Sequence, residues 1–376
     1  MSQRHYTFPP VFNEDEREQF ARRLSSWYLA NRRAMQWHGA DAYSVWVSEI
    51  MLQQTQAATV TDYYNRFMKA FPTVHHLANA PIETVLTHWS GLGYYARARN
   101  LHRAAQVVVT QFGGLVPDQQ EALLSLPGVG RYTAGAILSI AFNRQVPLVD
   151  ANVERVISRL FVMDEPPSSS HGKANLWAIA EQLVPATSPG MFNQGLMELG
   201  ATVCTPTDPA CPQCPVEPFC KAARTPNPAQ WPPRLQGKKI VQETHCSVIV
   251  RNNSGGVYLL KRPQKGLWGG LWEFPRVICI PQESPSVAAR RAAAEILQVK
   301  VGTPSVMAVI RHTVTHHNIT LYGCEAVPHE EPVTGERIKL VPIDCLNDYP
   351  FAAPQVLLRT ALTNRRDVEV QQALNL

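Results

Sequence analysis

The chain of 376 residues is too long for one ordinary domain and long enough for two or three domains with their own cores. It is 45% apolar and 17% charged, which excludes a disordered chain, and it holds no run of eighteen apolar residues that would cross a membrane. The net charge of +5 comes from the C-terminal part of the chain. Residues 1–225 carry 18 basic and 18 acidic residues, whereas residues 226–376 carry 17 basic and 12 acidic residues. Such a mild excess permits nucleic-acid binding without showing it.

Helical patterns fill the first part of the chain. Asn13 and Glu16 form a candidate capping box, and the apolar residues after them repeat at helical spacing, which predicts a first helix to about Asn31. The helical pattern returns over residues 43–71, and no convincing strand pattern occurs before residue 225. This part of the chain is therefore predicted to be all-helical.

A single glutamate stands within an apolar stretch of the second helical region, VWVSEIMLQQ. Burial in such surroundings would raise the pKa of Glu49, as a general acid that works near neutral pH requires. The other interpretation is an exposed glutamate on an amphipathic helix, and the pattern alone favours that one.

A glycine-containing turn is followed by a second carboxylate. The turn over residues 126–130, LPGVG, leaves backbone N–H groups free to approach an anion, and a helix of small and apolar residues is predicted from Tyr132 to Phe142. Asp150 then precedes another helix that begins near Asn152. A carboxylate in that place is either an ordinary N-cap or a catalytic group.

Four of the eight cysteines lie within seventeen residues and follow the pattern C-x6-C-x2-C-x5-C: Cys204, Cys211, Cys214 and Cys220. Such short spacing indicates one metal centre, and the ligand type leaves zinc and a [4Fe-4S] cluster both open. The other four are predicted to be buried apolar residues: Cys246, Cys279, Cys324 and Cys345.

The composition changes after residue 225. A proline-rich stretch over residues 226–243 predicts a stiff linker. Strand, turn and strand patterns follow, and a helix and a further strand come after them, so the C-terminal part is predicted to be α+β. The predicted strands and helix cover residues 246–250, 257–260, 286–297 and 319–322.

The hairpin, the carboxylate after it and the cysteine spacing together resemble the helix-hairpin-helix DNA glycosylase superfamily that includes endonuclease III. The segment SEIMLQQTQ, with GLGYYAR at residues 91–97, resembles the signature of the adenine DNA glycosylase (MutY) family. The resemblance covers nearly the whole chain and implies one structural [4Fe-4S] cluster. It implies a helical catalytic domain over residues 1–225, with the hairpin near 123–143 and the cluster loop at 204–220, the linker over 226–243, and a Nudix-like domain over 244–376.

The resemblance also implies roles for individual residues. Glu49 would protonate N7 of a flipped adenine, and Asp150 would steady the oxocarbenium-like sugar. By their own chemistry, Tyr132 and Asn152 can each hydrogen-bond Asp150 and so hold it ionised and oriented. Contacts with DNA are implied for Gln53, Gln54, Tyr94, Leu126, Gly128 and Gly130. An adenine pocket is implied for Arg33, Trp37, Leu52 and Gln194, although a buried amide satisfied by the backbone is the other interpretation of Gln194.

Tyr132 separates two branches of the superfamily. Endonuclease III-like enzymes carry a lysine at this position, whose amine forms a Schiff base and leads to strand cleavage. A phenol cannot form a Schiff base, so a monofunctional glycosylase is predicted.

The C-terminal sequences KRP and GLWGGLWEFP, at residues 261–263 and 266–275, resemble the entry strands of a Nudix fold. Only Glu295 remains of the glutamates that hold magnesium in a Nudix helix, so hydrolase chemistry is expected to be absent. Recognition of 8-oxoguanine is implied for Thr315 and His316, with Val314 in place of the usual aromatic residue. The alternative to a recognition domain is a strand-rich domain in which His317 and His329 are ordinary surface residues.

The predicted function is removal of adenine mispaired with 8-oxoguanine or guanine in double-stranded DNA, as a step of base excision repair. A bifunctional lyase is disfavoured by Tyr132, and a lesion-binding protein without activity is disfavoured by the presence of Glu49, Asp150 and Asn152. No membrane association is expected. A monomer is predicted, and, because no export signal is found, a cytoplasmic, nucleoid-associated location if the source is bacterial.

Overall fold

The computed structural model describes residues 11–233, 240–264, 266, 268–314 and 316–364. The chain forms two compact units: Met1–Asn79 with Asn100–Gly237, and Ala80–Arg99 with Lys238–Leu376. We call them the helical unit and the mixed unit. The predicted domain boundaries at 225 and 244 stay predictions.

The segment Ala80–Arg99 groups with the mixed unit although helical residues surround it in sequence. The reason lies in its hydrogen bonds to the carbonyl of Phe351. The Ser90 hydroxyl donates to that oxygen over 3.2 Å, and the Tyr95 hydroxyl donates to it as well. These partners lie far apart in sequence, which is why no local pattern predicts the grouping.

Helices supply all the regular structure of residues 11–225, as predicted. Their bounds are α1 Glu14–Asn31, α2 Ala42–Leu52, α3 Ala57–Ala70, α4 Val74–Asn79, α5 Ile82–His88, α6 Ala96–Gln111, α7 Gln120–Ser125, α8 Arg131–Ala136, α9 Ala151–Phe161, α10 Ser170–Leu183 and α11 Pro189–Thr202. A π-helical turn, Ile137–Ala141, continues α8, and short 3-10 turns follow α11. None of the helices within the described residues is long and apolar enough to cross a membrane.

The predicted capping box at the start of α1 is confirmed. The Asn13 side chain accepts from the N–H of Glu16 at 2.9 Å, and the Glu16 carboxylate accepts from the N–H of Asn13 at 2.9 Å. These two bonds satisfy N–H groups that a helix start otherwise leaves unpaired, which fixes where α1 begins. The apolar face of α1 then packs into the core of the helical unit through Phe20 and Leu24.

The predicted hairpin is also confirmed: α7 ends at Ser125, and α8 begins directly after Gly130. Gly128 has a φ of 78°, and a Cβ atom there would lie 2.6 Å from the Cβ of Asn100. A side chain therefore does not fit at Gly128. Gly130 has an ordinary φ of −100° and open space around it.

The mixed unit contains two sheets. Their strands are β1 Val241–Val250, β2 Gly256–Lys261, β3 Trp272–Glu273, β4 Arg276–Ile278, β5 Ser305–Val314, β6 His317–Ala326 and β7 Ile338–Pro342. One sheet has the order β4-β1-β6-β5, with β1 parallel to β6, and the other has the order β3-β2-β7. Helix α12, Pro285–Ala292, with a π-helical turn to Leu297, packs on one face of β1, and α13 spans Ala353–Thr363.

The strands and the helix predicted for the mixed unit all occur, with wider bounds. Strand β1 begins at Val241, so the last three residues of the predicted linker lie in a strand that pairs with His317–Ile319. Of the isolated cysteines, Cys246 and Cys324 are buried as predicted, and Cys279 is half-buried. The prediction for Cys345 is wrong: it is exposed, because Leu346 is the residue of its 3-10 turn that packs into the core.

Candidate active site

Glu49 lies in α2, a helix that is buried on all sides from Tyr43 to Met51. The side chain is only 3% exposed, so the interpretation as a surface glutamate is wrong. Burial raises the pKa of Glu49, a hydrogen bond from Tyr132 lowers it and the Asp150 charge raises it, and together these effects bring the pKa to about 7. Near neutral pH a large share of Glu49 is therefore protonated and able to act as an acid.

The Tyr132 hydroxyl donates to the Glu49 carboxylate and also lies 3.7 Å from the sulfur of Met197. The predicted bond from Tyr132 to Asp150 is wrong. Tyr132 stands in the first turn of α8, which packs against α2, so its ring meets Glu49. Burial and the Glu49 charge raise the pKa of Tyr132 well above 10, and the phenol remains a donor.

Asp150 is the N-cap of α9 and a half-buried carboxylate of the site at the same time. One oxygen accepts from the Val153 N–H at 2.7 Å, and the other accepts from the Asn152 side-chain amide at 2.9 Å. Burial raises the pKa of Asp150 above its usual value, and these two hydrogen bonds lower it. The predicted bond from Asn152 is confirmed.

Arg155 holds Asn152 in place and was not singled out from the sequence. Its guanidinium donates to Asn152 Oδ1 at 2.8 Å, which turns the amide nitrogen of Asn152 toward Asp150. It also donates to the carbonyls of Gly200 at 2.6 Å and Cys204 at 2.7 Å. The only sequence signal was an arginine three residues after Asn152 on one helix face, because the carbonyl partners lie far along the chain.

Two residues of the predicted adenine pocket are held by α11 and α1. Arg33 forms a bidentate pair with Glu198, with Nε–Oε1 at 2.7 Å and Nη2–Oε2 at 2.8 Å. Gln194 accepts from the Tyr28 hydroxyl at 3.1 Å and donates to the Gly190 carbonyl at 3.1 Å. The backbone bond agrees in part with the second interpretation of Gln194, and sequence reasoning missed both Tyr28 and Glu198.

Of the two other predicted pocket residues, Trp37 is buried and Leu52 is half-buried. Trp37 packs its ring edge-to-face against Tyr64 with the ring centres 5.3 Å apart. Leu52 is the half-buried last residue of α2. Trp37 thus packs against α3, and Leu52 lies on the helix that carries Glu49.

The residues of the helical unit that are predicted to contact DNA differ in their solvent exposure. Gln53 donates to Thr133 Oγ1 at 3.1 Å, and Gln54 is exposed with a φ of 57°. Leu126 is 2% exposed and donates its N–H to the Leu123 carbonyl, so it contributes packing and not a free donor. Gly130 caps α8 without a side chain, which leaves the start of that helix open to an anion.

Tyr94 belongs to the mixed unit and is half exposed, with a φ of 48°. The guanidinium of Arg97 lies 5.3 Å from the centre of its ring. The neighbouring Tyr95 is buried. Of this aromatic pair, one residue is therefore part of the core and the other is available for stacking.

Comparisons with known proteins decide the family. Residues 47–182 match the model of the HhH-GPD superfamily base excision DNA repair protein, and residues 246–360 match that of the NUDIX domain. The chain is 39% identical to the adenine DNA glycosylase of Homo sapiens, and the match covers 83% of this chain and 67% of the human protein. It is 34% identical to the adenine DNA glycosylase of Buchnera aphidicola subsp. Baizongia pistaciae, and that match covers 69% of this chain and 74% of the relative. The chain belongs to the adenine DNA glycosylase family.

Membership makes the protein a DNA glycosylase, a hydrolase that acts on N-glycosyl bonds. The chain spans 51% of the length of its Arabidopsis thaliana relative, to which it is 40% identical. A solved structure described as a thermostable thymine-DNA glycosylase is 32% identical to this chain, with a TM-score of 0.51. The match covers 56% of this chain and 97% of the thymine-DNA glycosylase chain.

The four clustered cysteines line one cavity of the helical unit together with Arg159. Arg159 donates to the sulfur of Cys204 at 3.3 Å and to the carbonyls of Thr205 at 2.7 Å and Pro206 at 2.9 Å. Within the described ranges no three histidine, cysteine or acidic side chains are close enough to hold a single metal ion. Four cysteine side chains around one cavity are the donor set that binds an iron–sulfur cluster, as the resemblance implies.

Of the two predicted recognition residues, His316 stands between β5 and β6. Thr315 lies outside the described residues. The ring of His316 lies 4.3 Å from that of His317, and His317 Nδ1 lies 2.8 Å from the Glu243 carboxylate. His317 is therefore tied to β1, whereas His329 is an exposed surface residue.

Proposed function

We propose that the protein is a monofunctional adenine DNA glycosylase of base excision repair. It hydrolyses the N-glycosidic bond of adenine mispaired with 8-oxoguanine or guanine in duplex DNA. The observation that carries the proposal is the pair of carboxylates in different environments, Glu49 with a pKa of about 7 and Asp150 with two hydrogen bonds that favour its ionised form. Breaking a bond between a base and a sugar requires one proton donor and one anion.

In the proposed reaction Glu49 protonates the adenine, and the bond from C1′ to the base breaks with its electron pair passing to the base. The ionised Asp150 stabilises the positive charge that the sugar acquires, while Asn152 keeps the carboxylate oriented. A water molecule adds to C1′, and the proton that it releases restores the protonation of the enzyme. The products are free adenine and an abasic site.

The restriction to base release is supported by Tyr132. Its phenol is engaged with Glu49 and cannot form the Schiff base that a lyase needs. The purified enzyme should therefore leave the DNA strand intact until alkali is added. Strong strand nicking without alkali contradicts this part of the proposal.

We propose that Thr315 and His316 help to recognise the opposite base, and the NUDIX match over residues 246–360 supports this role for the domain. Adenine release should be faster opposite 8-oxoguanine than opposite guanine, and much faster than opposite thymine. The measurement is a single-turnover rate for each of the three duplexes. Equal rates opposite 8-oxoguanine and thymine reject this substrate assignment, even if adenine is released.

We propose that the four clustered cysteines hold one [4Fe-4S] cluster. The thiolates of Cys204, Cys211, Cys214 and Cys220 would bind its iron atoms, and the cluster would supply a structural centre for the loop. The hydrogen bond from Arg159 to the Cys204 sulfur is of the kind that stabilises a bound thiolate. Purified protein should be brown and should contain iron and sulfide. A colourless protein that contains zinc overturns this assignment.

A further inference from the structure

We propose that Tyr28 is a positioning residue for base selectivity. It fixes the orientation of the Gln194 amide, so that the pocket accepts a purine with an amino group at C6 and rejects one with a carbonyl there. This inference rests on the proposed function, because it takes Gln194 to face the excised base.

The two neighbours of Gln194 together favour one orientation of its amide. The carbonyl of Gly190 can only accept, so it favours the orientation in which the amide nitrogen donates to it, at 3.1 Å. The hydroxyl of Tyr28 then faces Oε1 at 3.1 Å and donates to it. Rotation of the amide by half a turn would place two oxygens against each other at Gly190, which is unfavourable.

Tyr28 is held rigidly in the core. Its side chain is 2% exposed, and burial raises its pKa above 10, so the hydroxyl keeps its proton at neutral pH. Gly195 allows α1 and α11 to approach closely, because a Cβ atom there would lie 3.2 Å from Leu24 Cγ and 3.4 Å from Tyr28 Cβ. The phenol therefore has little freedom to leave Gln194.

The face of α11 that carries Gln194 also carries residues connected to the proposed acid, Glu49. Gln194, Met197 and Glu198 are spaced by three and four residues and lie on one side of the helix. Met197 touches the Tyr132 hydroxyl that donates to Glu49, and Glu198 holds Arg33. A base that receives a proton from Glu49 would thus lie beside the Gln194 amide.

The fixed amide has one N–H and one oxygen lone pair left for a ligand. Adenine offers an amino donor beside a ring-nitrogen acceptor, which matches this pair. Hypoxanthine offers a carbonyl acceptor beside an N–H donor, so it would require the rotated amide. Sites with fixed hydrogen-bonding groups reject ligands that leave those groups unpaired.

The test compares release of adenine and of hypoxanthine from the same position of one duplex, opposite 8-oxoguanine, under single-turnover conditions. In Tyr28→Phe the adenine rate should fall about tenfold while the hypoxanthine rate is unchanged or higher, because one hydrogen bond that fixes the amide is lost. The matched control is Tyr43→Phe, which also removes a buried hydroxyl, one that donates to the Phe71 carbonyl at 2.9 Å. That variant should keep the wild-type selectivity.

A second variant, Gln194→Met, should show the same loss of selectivity, and adding Tyr28→Phe to it should change selectivity no further. If Tyr28→Phe does not fold, wild-type selectivity in Gln194→Met overturns the inference. Unchanged selectivity in Tyr28→Phe, or an equal fall for both bases, also overturns it while leaving the proposed function in place. Wild-type protein that releases no adenine at all rejects the proposed function and this inference with it.

Discussion

Single residues of the site set its pH dependence. Glu49 must be protonated to act as an acid, so the rate should fall as pH rises through about 7, the pKa that burial gives it. Asp150 must be ionised, so the rate should also fall at low pH, near a pKa that burial raises above 3.8. The expected profile of kcat against pH is bell-shaped. A rate that is flat from pH 6 to pH 9 contradicts the role of Glu49.

Tyr132 should influence the alkaline side of that profile. Its hydrogen bond stabilises the ionised form of Glu49 and lowers the pKa of Glu49. In Tyr132→Phe the pKa should rise, and the alkaline fall of kcat should move to higher pH. Measuring the profile in this variant and in the control Tyr43→Phe checks the assignment. Movement to lower pH would show that Tyr132 does not stabilise the carboxylate.

The raised pKa of Glu49 also predicts a cost in stability. The folded protein binds this proton up to about pH 7, whereas the unfolded chain releases it near the ordinary value of 4.5. Folding stability should therefore be lost as pH rises from about 4.5 to 7, by about 3 kcal/mol for this residue. Glu49→Gln has no such proton to lose, so its stability relative to wild type should increase between pH 5 and pH 8. The free energy of unfolding of wild type and of Glu49→Gln, measured at both pH values, tests this. If the difference between the two proteins is the same at pH 5 and pH 8, the burial of an ionisable Glu49 is contradicted.

The sequence predicted these residues better than their partners. Asn152 donates to Asp150, and the Asp150 charge acts on a buried Glu49, as the family resemblance implies; the local pattern alone favoured an exposed Glu49. The partner of Tyr132 was predicted incorrectly, since the direction of one ring across 83 residues of sequence depends on how α8 packs against α2. Tyr28, Glu198 and Arg155 were missed for the same reason: their partners are set by tertiary packing.

At the scale of elements, the hairpin offers a matched pair of substitutions. Gly128→Ala must adopt a φ of 78° and place Cβ 2.6 Å from Asn100 Cβ, so it should destabilise the protein by about 1–3 kcal/mol. Gly130→Ala has an ordinary φ and open space, so it should leave stability nearly unchanged. Thermal unfolding of the two variants is the measurement. Equal loss in both would contradict the observed turn.

Local signals predicted most elements of the fold. The capping box at Asn13 gave the start of α1, and the turn glycines gave the break between α7 and α8. The grouping of Ala80–Arg99 with the mixed unit was not predicted, because it rests on bonds to Phe351 more than 250 residues away. The parallel pairing of β1 with β6 is likewise a long-range feature that no pattern in either strand specifies.

At the scale of the whole molecule, the two units carry different parts of the proposed task. The helical unit holds the carboxylates, the hairpin and the cysteine cavity. The mixed unit contains the whole NUDIX match and carries the surplus of basic residues. Under the proposed function, the helical unit would carry out hydrolysis and the mixed unit would recognise the opposite base.

The central claim is that Asp150 serves an adenine-releasing site together with the acid Glu49. The most direct test is adenine release from a duplex that contains adenine opposite 8-oxoguanine, with wild type and Asp150→Asn compared at equal DNA occupancy. The amide can still cap α9 at Val153, so the variant should fold and bind DNA. Wild type should release adenine, and Asp150→Asn should be at least about a hundredfold slower. Wild-type activity in Asp150→Asn would contradict the account.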